Sequence, residues 1–160
     1  LKRYINLLEQ TYMVRLLHPY EPNIKKRLIK APKIYLRDSG ILHALQGIEF
    51  FDDLMSHPIN GASWEGFAIE NIIAAYPQWQ PFYLRTSNGA EIDLVLVRGQ
   101  KKLAIECKLS KAPQPSRGFY QLIEDIKPQQ TWLVAPVTTA YPLKANIQVT
   151  PLQGLCLPGV

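Results

Sequence analysis

The chain has 160 residues, 47% hydrophobic and 19% charged, which are the proportions of a globular domain and not of a disordered chain. No apolar run approaches the roughly 18–20 residues that span a bilayer, and no signal-peptide pattern opens the sequence. Eighteen basic and thirteen acidic residues leave a net charge of +5, a modest pointer to a polyanionic partner.

The first ten residues, LKRYINLLEQ, space Leu1, Ile5 and Leu8 along one helical face. A chain that begins with Leu1, already inside a helical pattern, is expected to be the later part of a longer polypeptide. The stretch TYMVRLLHPY turns strand-like and is ended by Pro19 and Pro22. Residues 24–37, IKKRLIKAPKIYLR, then carry Lys25, Lys26, Arg27, Lys30, Lys33 and Arg37 with no acid among them. Such a run is either a solvated hairpin tip or an arm that contacts phosphate. KIYLRD (33–38) reads as a second strand, Asp38 as the cap of a helix over SGILHALQ, and Gly47 as its terminator. A helix followed by a two-stranded ribbon with a basic tip resembles the back half of a winged helix.

Residues 48–62 read as a connector punctuated by Pro58, Asn60 and Gly61. Ser63 is expected to cap a helix running through WEGFAIENIIAAY to Pro77, with Trp64, Phe67, Ala68, Ile72, Ala75 and Tyr76 on its apolar side. A strand at PFYLRT, a turn at SNG, a helix at SRGFYQLIEDI and a buried strand at TWLVAP follow, with one further strand expected within NIQVTPL. From Ser63 onward the order is therefore helix, three strands, helix, strand. Cys107 and Cys156 make no disulfide framework, and His18, His43 and His57 are too scattered for a zinc site. A reducing cytoplasm is the simpler compartment.

The chemistry concentrates in EIDLVLVRGQKKLAIECK (91–108). A two-residue turn at Gly99-Gln100 sets Val95 opposite Ala104, Asp93 opposite Glu106 and Glu91 opposite Lys108. Opposed residues share a face. One face thus carries Glu91, Asp93, Glu106 and Lys108, and the other an apolar wall of Ile92, Leu94, Leu96, Leu103, Ile105 and Cys107. Two carboxylates that close repel unless a cation lies between them or one holds a proton. The group is either a cross-strand salt-bridge cluster on a solvated face or a hard-oxygen site for a divalent ion such as Mg²⁺.

Asp93, a gap and Glu106-Cys107-Lys108, following a helix that bears Glu65, resemble the bipartite motif of the PD-(D/E)XK nuclease superfamily. KAPKIYLRDSGILHAL, GASWEGFAIENII, YLRTSNGAEIDLVL and LAIECK look like the C-terminal domain of prokaryotic AAA+-type ATP-binding proteins, and that resemblance covers nearly the whole chain. It implies an α/β, restriction endonuclease-like core at 63–160, with a mixed sheet flanked by helices. The connector at 48–62 and a partial winged-helix segment at 1–47 would precede it. By position, Asp93 and Glu106 would be metal ligands for Mg²⁺ or Mn²⁺, Glu65 a third ligand with Glu70 its rival, and Lys108 the catalytic lysine. Here Ile92 stands where the superfamily usually has proline before the acid. Lys25, Lys26, Arg27, Lys30 and Arg85 would contact DNA, Arg85 having Glu91 as its other partner. The ATPase portion of the full-length protein would be a partner; no G-x-x-x-x-G-K-[ST] loop occurs here, so no ATP site is expected in this segment. The function so implied is Mg²⁺-dependent hydrolysis of DNA, with a catalytically inert DNA- or protein-binding module serving the ATPase as the alternative.

Overall fold

A computed structural model describes residues 2–156; Leu1, counted above as part of the first helical face, lies outside them. Helix α1 (Lys2–Gln10) leads into the antiparallel ribbon of β1 (Val14–Leu17) and β2 (Lys33–Leu36). Helix α2 (Ser39–Leu45) starts as expected, with the Asp38 carboxylate accepting from Ile41 N–H at 3.0 Å, and it ends at Gly47, whose φ of +68° suits glycine.

The expected connector contains a short helix, α3 (Phe51–Ser56), where Phe50 N–H donates to the Asp53 carboxylate at 3.2 Å. Two acids in its first turn, Asp52 and Asp53, favour it through the helix dipole. Helix α4 (Asn60–Ala75) begins a turn before Ser63, which is interior and buried; its hydroxyl meets His43 Nε2 at 2.7 Å instead of capping. The helix buries Ala68, Ile69 and Ile72, while Phe67, expected on the apolar side, is 45% exposed.

Strands β3 (Gln80–Arg85), β4 (Glu91–Arg98) and β5 (Lys101–Cys107) follow as a meander, then α5 (Arg117–Ile126), capped by Ser116, and β6 (Gln130–Val134). The helix, three strands, helix, strand order read from the sequence is the order observed. Beyond it come β7 (Tyr141–Lys144), not anticipated, β8 (Ile147–Thr150) within the expected stretch, and the short α6 (Gln153–Cys156). The sheet is mixed, in the order β3-β4-β5-β6-β8-β7; β6 runs parallel to β5 and β8, and the other pairs are antiparallel.

Both faces of the sheet are covered. On one, Leu94, Leu96, Leu103, Ile105, Cys107 and Trp132 pack with Ala68, Ile69 and Ile72 of α4 and with Leu155 of α6. On the other, Val95, Ala104, Leu133 and Val149 pack with Phe119, Leu122 and Ile126 of α5. The apolar faces are therefore two, not the single wall that alternation along the hairpin suggests.

The basic segment between β1 and β2 is not a projecting tip. It lies along the outer edge of β3: Tyr20 N–H donates to Tyr83 O, Ile29 N–H to Arg85 O at 2.9 Å, and Ser87 N–H to Arg27 O at 2.9 Å. An open strand edge exposes unpaired backbone groups, and this segment satisfies those of β3. Ile24 and Leu28 pack inward against the α5-side core, while Lys25, Arg27 and Lys30 face outward.

Candidate functional site

The hairpin register is the one the sequence dictates, with Arg98 opposite Lys101, Val95 opposite Ala104 and Leu94 opposite Ile105, turned by Gly99 at φ +59°. On its other side β4 departs from regular alternation. Phe82 of β3 pairs with Val95, but Leu84 pairs with Ile92, so Tyr83 alone opposes both Asp93 and Leu94. This is a β-bulge, a feature that bends a strand and re-aims a side chain. Ile92 consequently joins Leu84, Val95 and Phe119 on the α5 side, whereas Leu94 packs on the α4 side. The expected grouping of Ile92 with Leu94 is thereby corrected.

At the bulge Asp93 is 7% exposed, and its Oδ2 accepts from Cys107 N–H at 2.8 Å, tying the start of β4 to the end of β5. Burial, then the carboxylates of Glu106 and Glu65, push Asp93 well above the ordinary carboxyl range, against a smaller pull from Cys107 N–H and Lys33. Glu106 is 4% exposed, and burial raises it too, offset in part by Lys108, whose Nζ lies 2.7 Å from Glu106 Oε1. Glu106 Oε2 is buried with no hydrogen-bond partner among the described residues. Burial also pushes the Cys107 thiol up.

Glu91 does not pair with Lys108, its expected opposite. It pairs with Arg85, Nε to Oε2 at 3.6 Å, and with Lys33. Glu65 of α4 faces the same place: Lys33 Nζ lies 2.9 Å from its Oε1, and Tyr35 Oη donates to that oxygen. Glu70 points elsewhere and clamps the ribbon to α4, accepting from Arg15 and from Arg37 Nε at 2.9 Å. Between the two candidate helix acids, the site therefore takes Glu65.

Lys33 is the residue the sequence did not single out. Among six basic residues in one run, nothing local distinguishes the one at the start of β2, because its role depends on contacts 32 to 60 residues away. Its ammonium touches Glu65 and Glu91, lies 3.8 Å from Asp93 Oδ1, and sits over the rings of Tyr35 and Tyr83 at 5.9 and 5.6 Å. Burial works against its charge, but Glu65 and the other surrounding groups outweigh that cost and hold it protonated.

Of the residues expected to contact DNA, Lys26 is paired with Asp125 of α5 and Lys30 with Glu21 at 3.1 Å. Arg85 is engaged by Glu91, while Lys25 and Arg27 extend outward from the edge of β3. As a metal centre the arrangement does not fit. Among the described residues no three His, Cys, Asp or Glu side chains are grouped to hold an ion, and an ammonium lies among the carboxylates. No described helix is long and apolar enough to cross a membrane.

Residues 60–155 match a family described as Domain of unknown function (DUF4143), which is typically found in the C-terminal region of AAA-ATPase-like proteins. Residues 1–52 match a second one, Domain of unknown function (DUF8612). The chain is 34% identical over 158 residues to the uncharacterized protein Mb2031c of Mycobacterium bovis and equally to the uncharacterized protein Rv2008c of Mycobacterium tuberculosis. Those alignments cover 99% of this chain and 36% of each relative, so the chain spans about a third of the length of the curated relatives it matches. No solved structure matches it. With 60–155 accounted for by that profile, the chain belongs to the DUF4143 domain family.

Proposed function

We propose that this chain is a nuclease-like, restriction endonuclease-related module that binds DNA for an ATPase portion of the full-length protein and does not cut it in the conformation described. The element order from α4 to β6 and the placement of Asp93 and Glu106-Cys107-Lys108 at one end of paired strands support the nuclease-like ancestry. The observation that carries the non-cutting reading is the pair of lysines. Lys33 meets Glu65, Glu91 and Asp93, and Lys108 meets Glu106, so the acids are compensated from within the chain. Uncompensated, they would repel a phosphate backbone; compensated, they leave the outward Lys25 and Arg27 as the attractive surface.

The test is fluorescence anisotropy with labelled duplex and single-stranded DNA over a salt series, beside incubation of plasmid DNA with Mg²⁺ or Mn²⁺. Binding should weaken with salt as counterion release requires, and Lys25→Glu with Arg27→Glu should remove most of it. Absence of binding at low salt would refute the reading. Metal-dependent cleavage that disappears in Lys108→Ala would replace it with Mg²⁺-dependent hydrolysis, in which Glu65, Asp93 and Glu106 hold the ion. One observation favours that second reading: Glu106 Oε2 is buried without a partner, a place where a cation would be welcome.

A further inference from the structure

Helix α1 packs on β1, yet of residues 3–10 only Ile5 is even half-buried. Tyr4, Leu7 and Leu8 repeat at three- and four-residue steps along its outer side, Tyr4 73% and Leu7 55% exposed. A nine-residue helix is marginal by itself in water, and bare anchors at this spacing are what a helix bound in a groove presents. The chain also has such a groove. It is a cavity of about 460 Å³ between α3, α4 and the segment after β5, lined by Phe51, Leu54, Met55, Trp64, Phe67 and Leu109. Phe51 is 71% exposed, and Met55, Phe67 and Leu109 are exposed beside it; a contiguous apolar patch of this kind marks an interaction site.

Charge matches the two surfaces to each other. Residues 38–84 carry six acids and neither lysine nor arginine, in a chain of net charge +5. Glu65 and Glu70 are taken by Lys33, Arg15 and Arg37, and Asp38 caps α2. That leaves Glu49 and Asp52, with the capping Asp53, exposed around the start of α3. Helix α1, in contrast, opens with Lys2 and Arg3, at the positive end of its dipole, and Arg3 is exposed. The turn at residues 11–13 fixes α1 beside the ribbon: Arg37 N–H donates to Met13 O at 3.1 Å, and the Arg37 guanidinium lies over the Tyr12 ring at 5.5 Å. Helix α1 therefore does not turn back into the groove of its own chain. We infer that α1 of one copy seats Tyr4, Leu7 and Leu8 in the α3–α4 groove of a second copy, with Arg3 toward Glu49 and Asp52. Exchange in both directions closes a two-fold pair. This pairing needs neither DNA binding nor a nuclease-like core.

Sedimentation equilibrium of the unaltered chain should show a pair with a dissociation constant of about 1–100 μM, the range a small interface gives. Leu7→Glu on the helix and Phe51→Glu at the groove should each weaken association at least about tenfold. Mixed in equal amounts, the two variants should pair again through one of the two contacts, since one supplies an intact groove and the other an intact helix. An interface elsewhere, or one that joins like surfaces, gives no such recovery. Leu8→Glu and Met55→Glu form a second couple should either of the first fail to fold. Arg3→Glu and Asp52→Arg should each weaken pairing about two- to fivefold, as exposed ion pairs do, and the double variant should recover it. A chain that stays monomeric well above that concentration range overturns the inference and leaves both surfaces to a different polypeptide. Pairing untouched by Leu7→Glu or by Phe51→Glu overturns it too, as does a mixture that stays monomeric or a charge-exchanged double variant that pairs no better than the single ones.

Discussion

The β-bulge at Asp93 makes a sharp claim about packing: Ile92 and Leu94, two residues apart, serve opposite faces of the sheet. Both are fully buried. Leu94→Ala removes a core side chain beside Ile69 and Ile72 and should cost about 3 kcal/mol, within the range for buried leucines. Ile92→Val deletes one methylene beside Leu84 and Phe119 and should cost about 1 kcal/mol. For a chain of this length each kcal/mol moves the melting temperature by about 2–4 °C, so the shifts should be about 6–12 °C and 2–4 °C. Because the sheet separates the two sites, the double variant should be additive within about 0.5 kcal/mol. A second cycle, Ile92→Val with Phe119→Leu, should show coupling of about 0.5 kcal/mol or more, since those two share a cluster. Urea unfolding of the six proteins, with m-values compared, supplies the numbers. Coupling between positions 92 and 94 with none between 92 and 119 would mean regular alternation through Asp93, and the aiming of that carboxyl toward Lys33 would lose its cause.

Four further outcomes follow from the site and its supports. Because Asp93 binds its proton more tightly folded than unfolded, its contribution to stability is full below the ordinary carboxyl range near 3.8 and is lost as pH rises; Asp93→Asn, which keeps an acceptor for Cys107 N–H, should therefore gain stability over the unaltered chain at pH 8 relative to pH 4.5, and a gap independent of pH would contradict this. Glu70→Gln weakens the Arg15 and Arg37 clamp and should destabilise by about 1–2 kcal/mol in urea unfolding, given the partial exposure of both arginines. By contrast Glu21→Gln, at an exposed pair, should be silent. Gly118→Ala would bring a Cβ to 2.6 Å from that of Ala90 at the entry to β4, so the variant should lose about 1–3 kcal/mol despite the better helix propensity of alanine.

What a reader of the chain can establish is local or nearly so. The hairpin register follows from a glycine that accepts positive φ and from alternation on either side of it, both within eighteen residues. The cap at Asp38 follows from a side-chain oxygen three residues ahead of the N–H group it satisfies, whereas the cap expected at Ser63 falls inside α4 and the one made by Ser116 was not anticipated. The convergence of Asp93 with Glu106 was legible for the same reason, since one turn brings them together. The bulge was not, because it arises in the pairing of β4 with β3, and nothing in EIDLVL itself marks where that second ladder slips.

Nor was the course of the basic segment, which lies flat because the unpaired edge of β3 offers it backbone partners. The choice of Glu65 over Glu70 and the role of Lys33 were settled by the docking of the ribbon on α4. A charged side chain buries where counter-charges have been assembled, and such an assembly exists only once distant segments have packed. The amino-acid order by itself determined the two strands of the hairpin, the turn and which acids meet across it; the tertiary structure alone decided which cation they meet.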